Sequence, residues 1–373
     1  MIRPSLGEEE ALAAAEAVRS GWVAQGPRVA EFEAAFAGSV EAGHGVALSS
    51  CTTALHLALH VLGIGPGDEV IVPSLSFIAT ANAVRYVNAQ PVFADVDPLT
   101  GNLTPETVDA VITPRTAAVL AVHQGGVPFD ADALAELCAR RGLALVHDAA
   151  CAAGSTYRGR PAGAGATLAA WSFHPRKLLT TGEGGMLTTD DTELAARCRR
   201  LREHGMSVSA GDRHRSDTVV LETYDEVGFN YRLTDIQAAI GLVQLARLPE
   251  VIARRRALAE RYHKLLTDLD GVRAVTDPDH GTTNYQSFWV VLPEDYAGTQ
   301  RDVLAGLKAH GVSARRGIMA SHLEPPYADL PADLPVTEHL ARRSVILPLF
   351  HQLTEAEQDT VVTALTETLR GRR

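Results

Sequence analysis

The chain has little of what several protein classes require. Its 373 residues hold four cysteines, Cys51, Cys138, Cys151 and Cys198. None forms a Cys-x-x-Cys pair, so no metal site is expected. They read most simply as small buried hydrophobes in a reducing, cytoplasmic setting. Positive charge is in deficit, with 34 Lys and Arg against 45 Asp and Glu and a net charge of −11. That balance argues against a nucleic-acid binder, whose contact face is usually strongly basic. It leaves room for a small anionic ligand, because a local site can oppose the global charge. No apolar run approaches the ~20 residues of a membrane span. Met1–Ser5 begins without the apolar core of a signal peptide. No internal repeat or low-complexity segment is visible.

What is present describes a soluble globular chain, 46% hydrophobic and 21% charged. The length exceeds one ordinary small core, and two domains are expected, residues 1–245 and 246–373. Residues 44–190 alternate apolar β-rich runs with helical patterns. The runs are Glu69–Pro73, Pro91–Val96, Ala117–His123, Leu143–Asp148, Leu168–Phe173 and Met186–Thr189, with a helix predicted at Asp130–Arg141. Such alternation predicts an α/β fold with a mostly parallel sheet between helices. Ligands of such sheets bind beyond the carboxyl ends of the strands. A long helix from about Thr234 to Leu269, interrupted near Pro249, leads to a smaller C-terminal α/β unit. That unit has strands at Tyr285–Leu292 and Val345–Leu347 and helices at Gln300–His310 and Glu355–Leu369. The polar segment Gly205–Leu221 reads as a mobile loop.

Three constellations carry chemistry. The first is Ser49-Ser50-Cys51-Thr52-Thr53, which runs into an amphipathic helix. A helix start offers unpaired N–H groups and a positive dipole end, so it suits a phosphate, with hydroxyls of Ser50, Thr52 and Thr53 as added donors. An ordinary Ser50 cap is the plain alternative. The second is Asp148, a carboxylate ending a buried strand, which needs a partner. The third is Ser172, Lys177 and the turn of Gly182, Gly184 and Gly185. A lysine at one strand end and an aspartate at another meet the needs of pyridoxal phosphate. The lysine can form a Schiff base, and the aspartate can keep the pyridine nitrogen protonated. A cap, a loop carboxylate and a snorkelling lysine would explain each feature singly; their order favours one site.

Longer motifs extend the reading: Gly21–Glu33, Gly65–Pro73, the spaced set His123, Gly126, Pro128 and Asp130, and Gly228–Ala239. With these the chain resembles, over nearly its whole length, the DegT/DnrJ/EryC1/StrS sugar aminotransferases. These are pyridoxal phosphate enzymes of fold type I, with a seven-stranded-type sheet in the large domain. The resemblance implies that Lys177 is the Schiff-base lysine and proton shuttle, and that Asp148 pairs with the pyridine nitrogen. It implies that Thr52, its backbone neighbours including Cys51, and Ser172 hold the phosphate, and that Phe77 stacks on the ring. It implies that Asn230 reaches the phosphate of a neighbouring subunit, hence a homodimer with shared sites. The family commonly has glycine at Cys51, and glutamine or histidine near the cofactor's phenolic oxygen at Cys151. Retained Lys177 favours transamination over the dehydration performed by relatives with histidine there.

The implied substrates are an amino-acid donor, usually L-glutamate, and a nucleotide-linked keto-sugar, often a 4-keto-6-deoxyhexose. Pyridoxamine phosphate is then the turnover form. Arg28, Arg213, Arg215, Arg232, Arg315 and Arg316 are candidates for a diphosphate. His322 and Tyr327 fall in a segment that borders the sugar in relatives. A cyclitol or other ketone as acceptor, a lyase or dehydratase, and a cofactor-binding regulator are the competing readings.

Overall fold

The computed structural model describes residues 4–208, 218–219 and 221–371. The chain enters a seven-stranded sheet made of β1 (His44–Leu48), β2 (Glu69–Pro73), β3 (Gln90–Ala94), β4 (Thr116–Val122) and β5 (Ala144–Asp148), then β8 (Leu168–Ser172) and β9 (Gly185–Thr189). Between β5 and β8 lie the two-residue strands β6 (Thr156–Tyr157) and β7 (Arg160–Pro161). The order across the sheet is β1-β9-β8-β5-β4-β2-β3. Only β9 runs against its neighbours. The central strands are apolar at nearly every position because both faces are covered. Ile71 of β2 points into one core with Leu134, Tyr262 and Trp289. Val70 and Val72 point into the opposite core with Leu57 and Val84, as a period of two demands. The strands expected in residues 44–190 are present within one or two residues, whereas the one expected at Tyr285–Leu292 begins only at Phe288. The turn signals and apolar runs were local enough to mark their ends.

Helix Asp235–Leu266 departs from expectation at Pro249, which lies inside an unbroken helix. Proline forfeits one backbone hydrogen bond. Packing on both sides outweighs that loss, with Leu248, Arg255, Leu258 and Tyr262 buried. Among the described residues this helix is also long and apolar enough, by composition, to cross a membrane. In the fold it instead braces the molecule. Its buried Arg255 donates to the carbonyl oxygens of Tyr285, Gln286 and Leu349. Arg213 and Arg215, and most of the expected mobile loop, lie outside the described residues.

The C-terminal part contains β10 (Arg273–Ala274), β11 (Gly281–Thr282), β12 (Phe288–Val291), β13 (Arg315–Arg316) and β14 (Ser344–Leu347). Four of them form an antiparallel sheet in the order β10-β12-β14-β13. It shares one apolar core with the large sheet, in which Phe288, Trp289 and Leu365 join Ile71 and Val119.

Candidate active site

The parallel strands deliver their carboxyl ends to one edge of the sheet. Asp148 ends β5, Ser172 ends β8, and Leu48 ends β1 just before the helix Cys51–Val61. Gly185 opens β9 and stands between Leu48 and Ser172 in register. A Cβ on Gly185 would overlap the Ser50 carbonyl and the Cys51 nitrogen. Glycine is therefore what lets β9 lie against the helix start. Gly182, at φ 86°, makes the turn that precedes it.

Ser50 caps that helix, accepting from the Thr53 N–H at 3.2 Å. The Thr53 hydroxyl turns back to the Ser50 carbonyl at 2.8 Å. Two of the three hydroxyls expected to serve a phosphate are thus engaged in the cap. The Thr52 hydroxyl and the Cys51 and Thr52 N–H groups have no partner among the described residues. Ser172 accepts weakly from the His174 N–H at 3.4 Å.

Asp148 is buried, 4% exposed. One carboxylate oxygen accepts from the Thr80 hydroxyl at 2.9 Å and the other from the Ala150 N–H at 3.1 Å. Thr80 in turn accepts from Ser76 at 2.8 Å. Burial raises the Asp148 pKa, and the two hydrogen bonds and Lys177 offset only part of that rise. Lys177 lies in the turn after β8 and donates from Nζ to Cys151 Sγ at 3.1 Å. Burial pulls its pKa down. Cys151, then Cys51 and Asp148, push it up by more, so it ends above its ordinary value. Burial also drives the Cys51 thiol well up, with Asp148, Lys177 and Cys151 in electrostatic reach. Lysine, aspartate and helix start therefore lie within electrostatic reach of one another.

Phe77, 69% exposed, stands just past the end of β2. Asn230 is exposed on a strip whose next residue, Tyr231, accepts from the Ser49 N–H at 2.8 Å. Half-buried Arg232 bridges Leu48 through its backbone. Arg28 pairs with Glu31 at 2.8 Å and Arg316 with Glu324 at 3.8 Å, both on the surface. His322 and Tyr327 face inward. The His322 ring meets the Ser74 hydroxyl at 2.6 Å and lies 3.5 Å from Glu338, while the His322 backbone N–H donates to the Ser74 hydroxyl. Tyr327 donates to Asn82 at 2.6 Å. Both side chains fasten the C-terminal part to the segment bearing Phe77 and Thr80.

The site also uses residues that the sequence reading passed over. Thr80 follows the expected ring-stacking residue Phe77 by three positions and opens the helix Ala79–Tyr86, so its signal was available. Asn284 and Gln286 had none. Asn284 donates to the Cys151 and Ala153 carbonyls at 2.8 and 2.9 Å, and Gln286 donates to the Arg176 carbonyl at 2.6 Å. Each fixes a loop more than a hundred residues away.

A lysine amine within electrostatic reach of a buried carboxylate, at the carboxyl edge of this sheet, meets the needs of a pyridoxal phosphate enzyme of fold type I. The residues fit that cofactor. Asp148 has no ion-pair partner among the described residues, and the helix start leaves N–H groups free for a phosphate. The description of the DegT/DnrJ/EryC1/StrS aminotransferase family matches residues 4–366, and the chain belongs to that family. It is 43% identical over 359 residues to the GDP-perosamine synthase of Caulobacter vibrioides, covering 95% of this chain and 94% of that one. It is 42% identical over 369 residues to the dTDP-4-dehydro-2,3,6-trideoxy-D-glucose 4-aminotransferase of Saccharopolyspora spinosa, covering 96% and 94%. Among solved structures, the pyridoxamine phosphate form of Spr1654 from Streptococcus pneumoniae is similar with a TM-score of 0.93 at 26% identity, covering 100% of this chain and 99% of that one. Its pyridoxal phosphate form matches with a TM-score of 0.92.

Proposed function

We propose that this aminotransferase moves an amino group from an amino acid, with L-glutamate as the donor, to a nucleotide-linked keto-sugar. The acceptor proposed is a 4-keto-6-deoxyhexose, and the product an amino sugar. Support for the acceptor comes from relatives at 42–43% identity that are named for nucleotide-sugar chemistry. The observation that carries the catalytic reading is Lys177, whose amine touches Cys151 and lies within electrostatic reach of Asp148 and of Cys51 at the helix start.

When bound, pyridoxal phosphate supplies an electron sink for the carbon that loses its proton. The chain's own residues do the rest. Asp148 holds the ring nitrogen in its protonated, cationic form, and Thr80 and Ala150 keep the carboxylate aimed. Thr52 and the free N–H groups of the helix start hold the phosphate, with Ser172 beside them. Phe77 covers a ring face. Lys177 would hold the cofactor, and as a neutral amine its Nζ would take a proton from one carbon and return it to another.

The same proposal includes a homodimer, with Asn230 reaching across to the partner's phosphate. Exposed Trp22, Val23, Tyr224 and Val227 support an apolar contact face. It includes a cytoplasmic location, for which four unpaired cysteines speak. It also includes a division into a cofactor-holding part, residues 1–245, and a smaller part, 246–373, although the boundary falls inside the helix Asp235–Leu266. His322 and Tyr327 enter the proposal as positioning residues for the sugar side, in view of their inward bonds.

The test is to load the protein with pyridoxal phosphate, convert it with L-glutamate to the amine form, and offer nucleotide keto-sugars beside cyclitol ketones. Mass spectrometry should find an aminated nucleotide sugar. Amination of the cyclitol alone would overturn the sugar assignment. Failure of any amino acid to produce the amine form would overturn transamination by this chain.

A further inference from the structure

The C-terminal part reaches the loops of the large sheet through Asn284, Tyr285 and Gln286, which lie just before β12. Asn284 is fully buried and Gln286 is 9% exposed. The Asn284 amide donates to the Cys151 and Ala153 carbonyls at 2.8 and 2.9 Å, in the loop after β5. The Gln286 amide donates to the Arg176 carbonyl at 2.6 Å, in the turn after β8. The two side chains thus hold both sides of one contact, that of Cys151 Sγ with Lys177 Nζ at 3.1 Å. Past the strand ends, this contact is the one direct hydrogen bond between the two loops among the described residues.

The grip has its own supports. Oδ1 of Asn284 accepts from the Gln286 N–H at 2.7 Å, which couples one side chain to the other. Tyr285, between them, has φ 51°, a left-handed conformation that a tyrosine keeps only where its surroundings impose it. Arg255 of the helix Asp235–Leu266 imposes it, donating to the Tyr285 carbonyl at 2.9 Å and to the Gln286 carbonyl at 3.1 Å. A Cβ on Gly126 would overlap the Asn284 side chain. Glycine at 126, in the spaced motif His123, Gly126, Pro128 and Asp130, therefore makes room for the grip.

We infer that Asn284 and Gln286 are positioning residues for the reaction, setting the spacing of Lys177 from Cys151 and Asp148, so that docking of the C-terminal part completes the surroundings of the amine. This rests on the aminotransferase reading of Lys177. Each side chain acts through a main-chain carbonyl and donates nothing to the amine itself. The titratable groups in reach of that amine are Cys151, Cys51 and Asp148. Without the Gln286 donor, the Arg176 carbonyl must find water, and the turn relaxes outward. Loss of the thiol contact and gain of water both bring the amine down toward its ordinary value, because it stands above that value in the closed arrangement.

Gln286→Met tests this, since it keeps the side-chain length and removes the donor. Gln300→Met is the control, because Gln300 makes the same kind of tie inside the C-terminal part, to the Ala341 carbonyl at 3.0 Å. The readout is competitive acetylation of the cofactor-free protein across pH, followed at the Lys177 peptide by mass spectrometry. It reports the amine pKa without turnover. Gln286→Met should lower that pKa, in the direction of Cys151→Ala. In the cofactor-loaded enzyme it should slow both half-reactions about 2- to 10-fold with KM unchanged, the scale of one lost hydrogen bond. Added to Cys151→Ala, it should lower the pKa no further, because both changes act on one contact. Gln300→Met should lower the melting temperature and leave the pKa in place. An amine pKa that stays or rises in Gln286→Met, or falls that add in the double variant, would overturn the inference and leave the two residues a purely structural role. If Gln286→Met does not fold, Gln286→Ala, which admits water to the Arg176 carbonyl, takes its place in the same series. A wild type that reacts with no amino acid overturns the aminotransferase reading alone, and the acetylation series still decides the spacing role.

Discussion

Lys177 Nζ lies 3.1 Å from the sulfur of Cys151, so the amine proposed as catalytic rests on a thiol rather than on an amide or imidazole. This contact is one reason that the lysine pKa ends above its ordinary value, against the downward pull of burial. A lysine acting as a base must first be neutral. Replacing Cys151 with alanine should therefore lower the amine pKa and move the acid limb of the proton-transfer step to lower pH. Single-turnover rates against pH measure this, with Cys151→Ser expected to fall between alanine and wild type. An acid limb that stays in place or moves up would remove Cys151 from the tuning of Lys177.

Asp148 is raised by burial, which means that its ionisation opposes folding in the cofactor-free protein. The sign is that of a carboxylate whose folded pKa exceeds its unfolded one. The stability penalty is absent below about pH 4 and grows as pH rises through the folded pKa. Cofactor-free Asp148→Asn should accordingly melt higher than wild type at neutral pH, while gaining less from added pyridoxal phosphate. Its turnover should fall by on the order of 100-fold or more, as expected for a buried charge that loses its partner. Thermal melts with and without cofactor, beside half-reaction rates, check all three.

Thr80 gives Asp148 a hydroxyl hydrogen bond at 2.9 Å. Thr80→Val keeps the shape and removes the donor, and should cost roughly tenfold in the half-reaction, the lower end for a hydrogen bond to a charge. Ser76→Ala, one step further out, should cost less. A larger loss in Ser76→Ala than in Thr80→Val would break the proposed order of the relay.

Gly185→Ala places a methyl group where the Ser50–Cys51 backbone already lies. Overpacking of that kind typically costs about 1–3 kcal/mol, and here it pushes on the phosphate-holding helix start. A lowered melting temperature together with weaker uptake of pyridoxal phosphate is expected by calorimetry. A variant that binds cofactor normally would show that β9 does not set the phosphate loop.

His322 is 7% exposed and bonded to Ser74 in two ways. His322→Ala should therefore lower stability and blunt kcat while leaving the KM for the keto-sugar within about twofold. A KM raised tenfold at unchanged melting temperature would instead make the imidazole a direct sugar contact.

The legible part of this molecule is the part written locally. Asp148 announces itself because it ends an apolar run and Lys177 because it follows one by a short turn, and parallel strands bring such ends to one edge. The Ser50 cap was equally local, although the cap rather than a phosphate engages Ser50 and Thr53. Asn284 and Gln286 were not legible. Each is an ordinary polar residue whose partner, a loop carbonyl 133 or 110 positions away, becomes a neighbour only after the C-terminal sheet docks. The inward turn of His322 was hidden for the same reason, since Ser74 is 248 positions from it. Pro249 misled because a local rule met a helix whose packing decides its course.

Strand β1 has a single partner in the sheet, β9, which follows it by about 140 residues. On a ribosome that adds about 5–20 residues per second, His44–Leu48 waits on the order of ten seconds for Gly185–Thr189 to emerge. During that interval β2 to β5 can already pair with one another, so the nascent sheet grows from its far edge. The helix start at Ser50–Cys51 meets Gly185 last, only after Lys177 has itself been made. Completion of the proposed cofactor site is thereby scheduled late in synthesis by the position of one reversed strand.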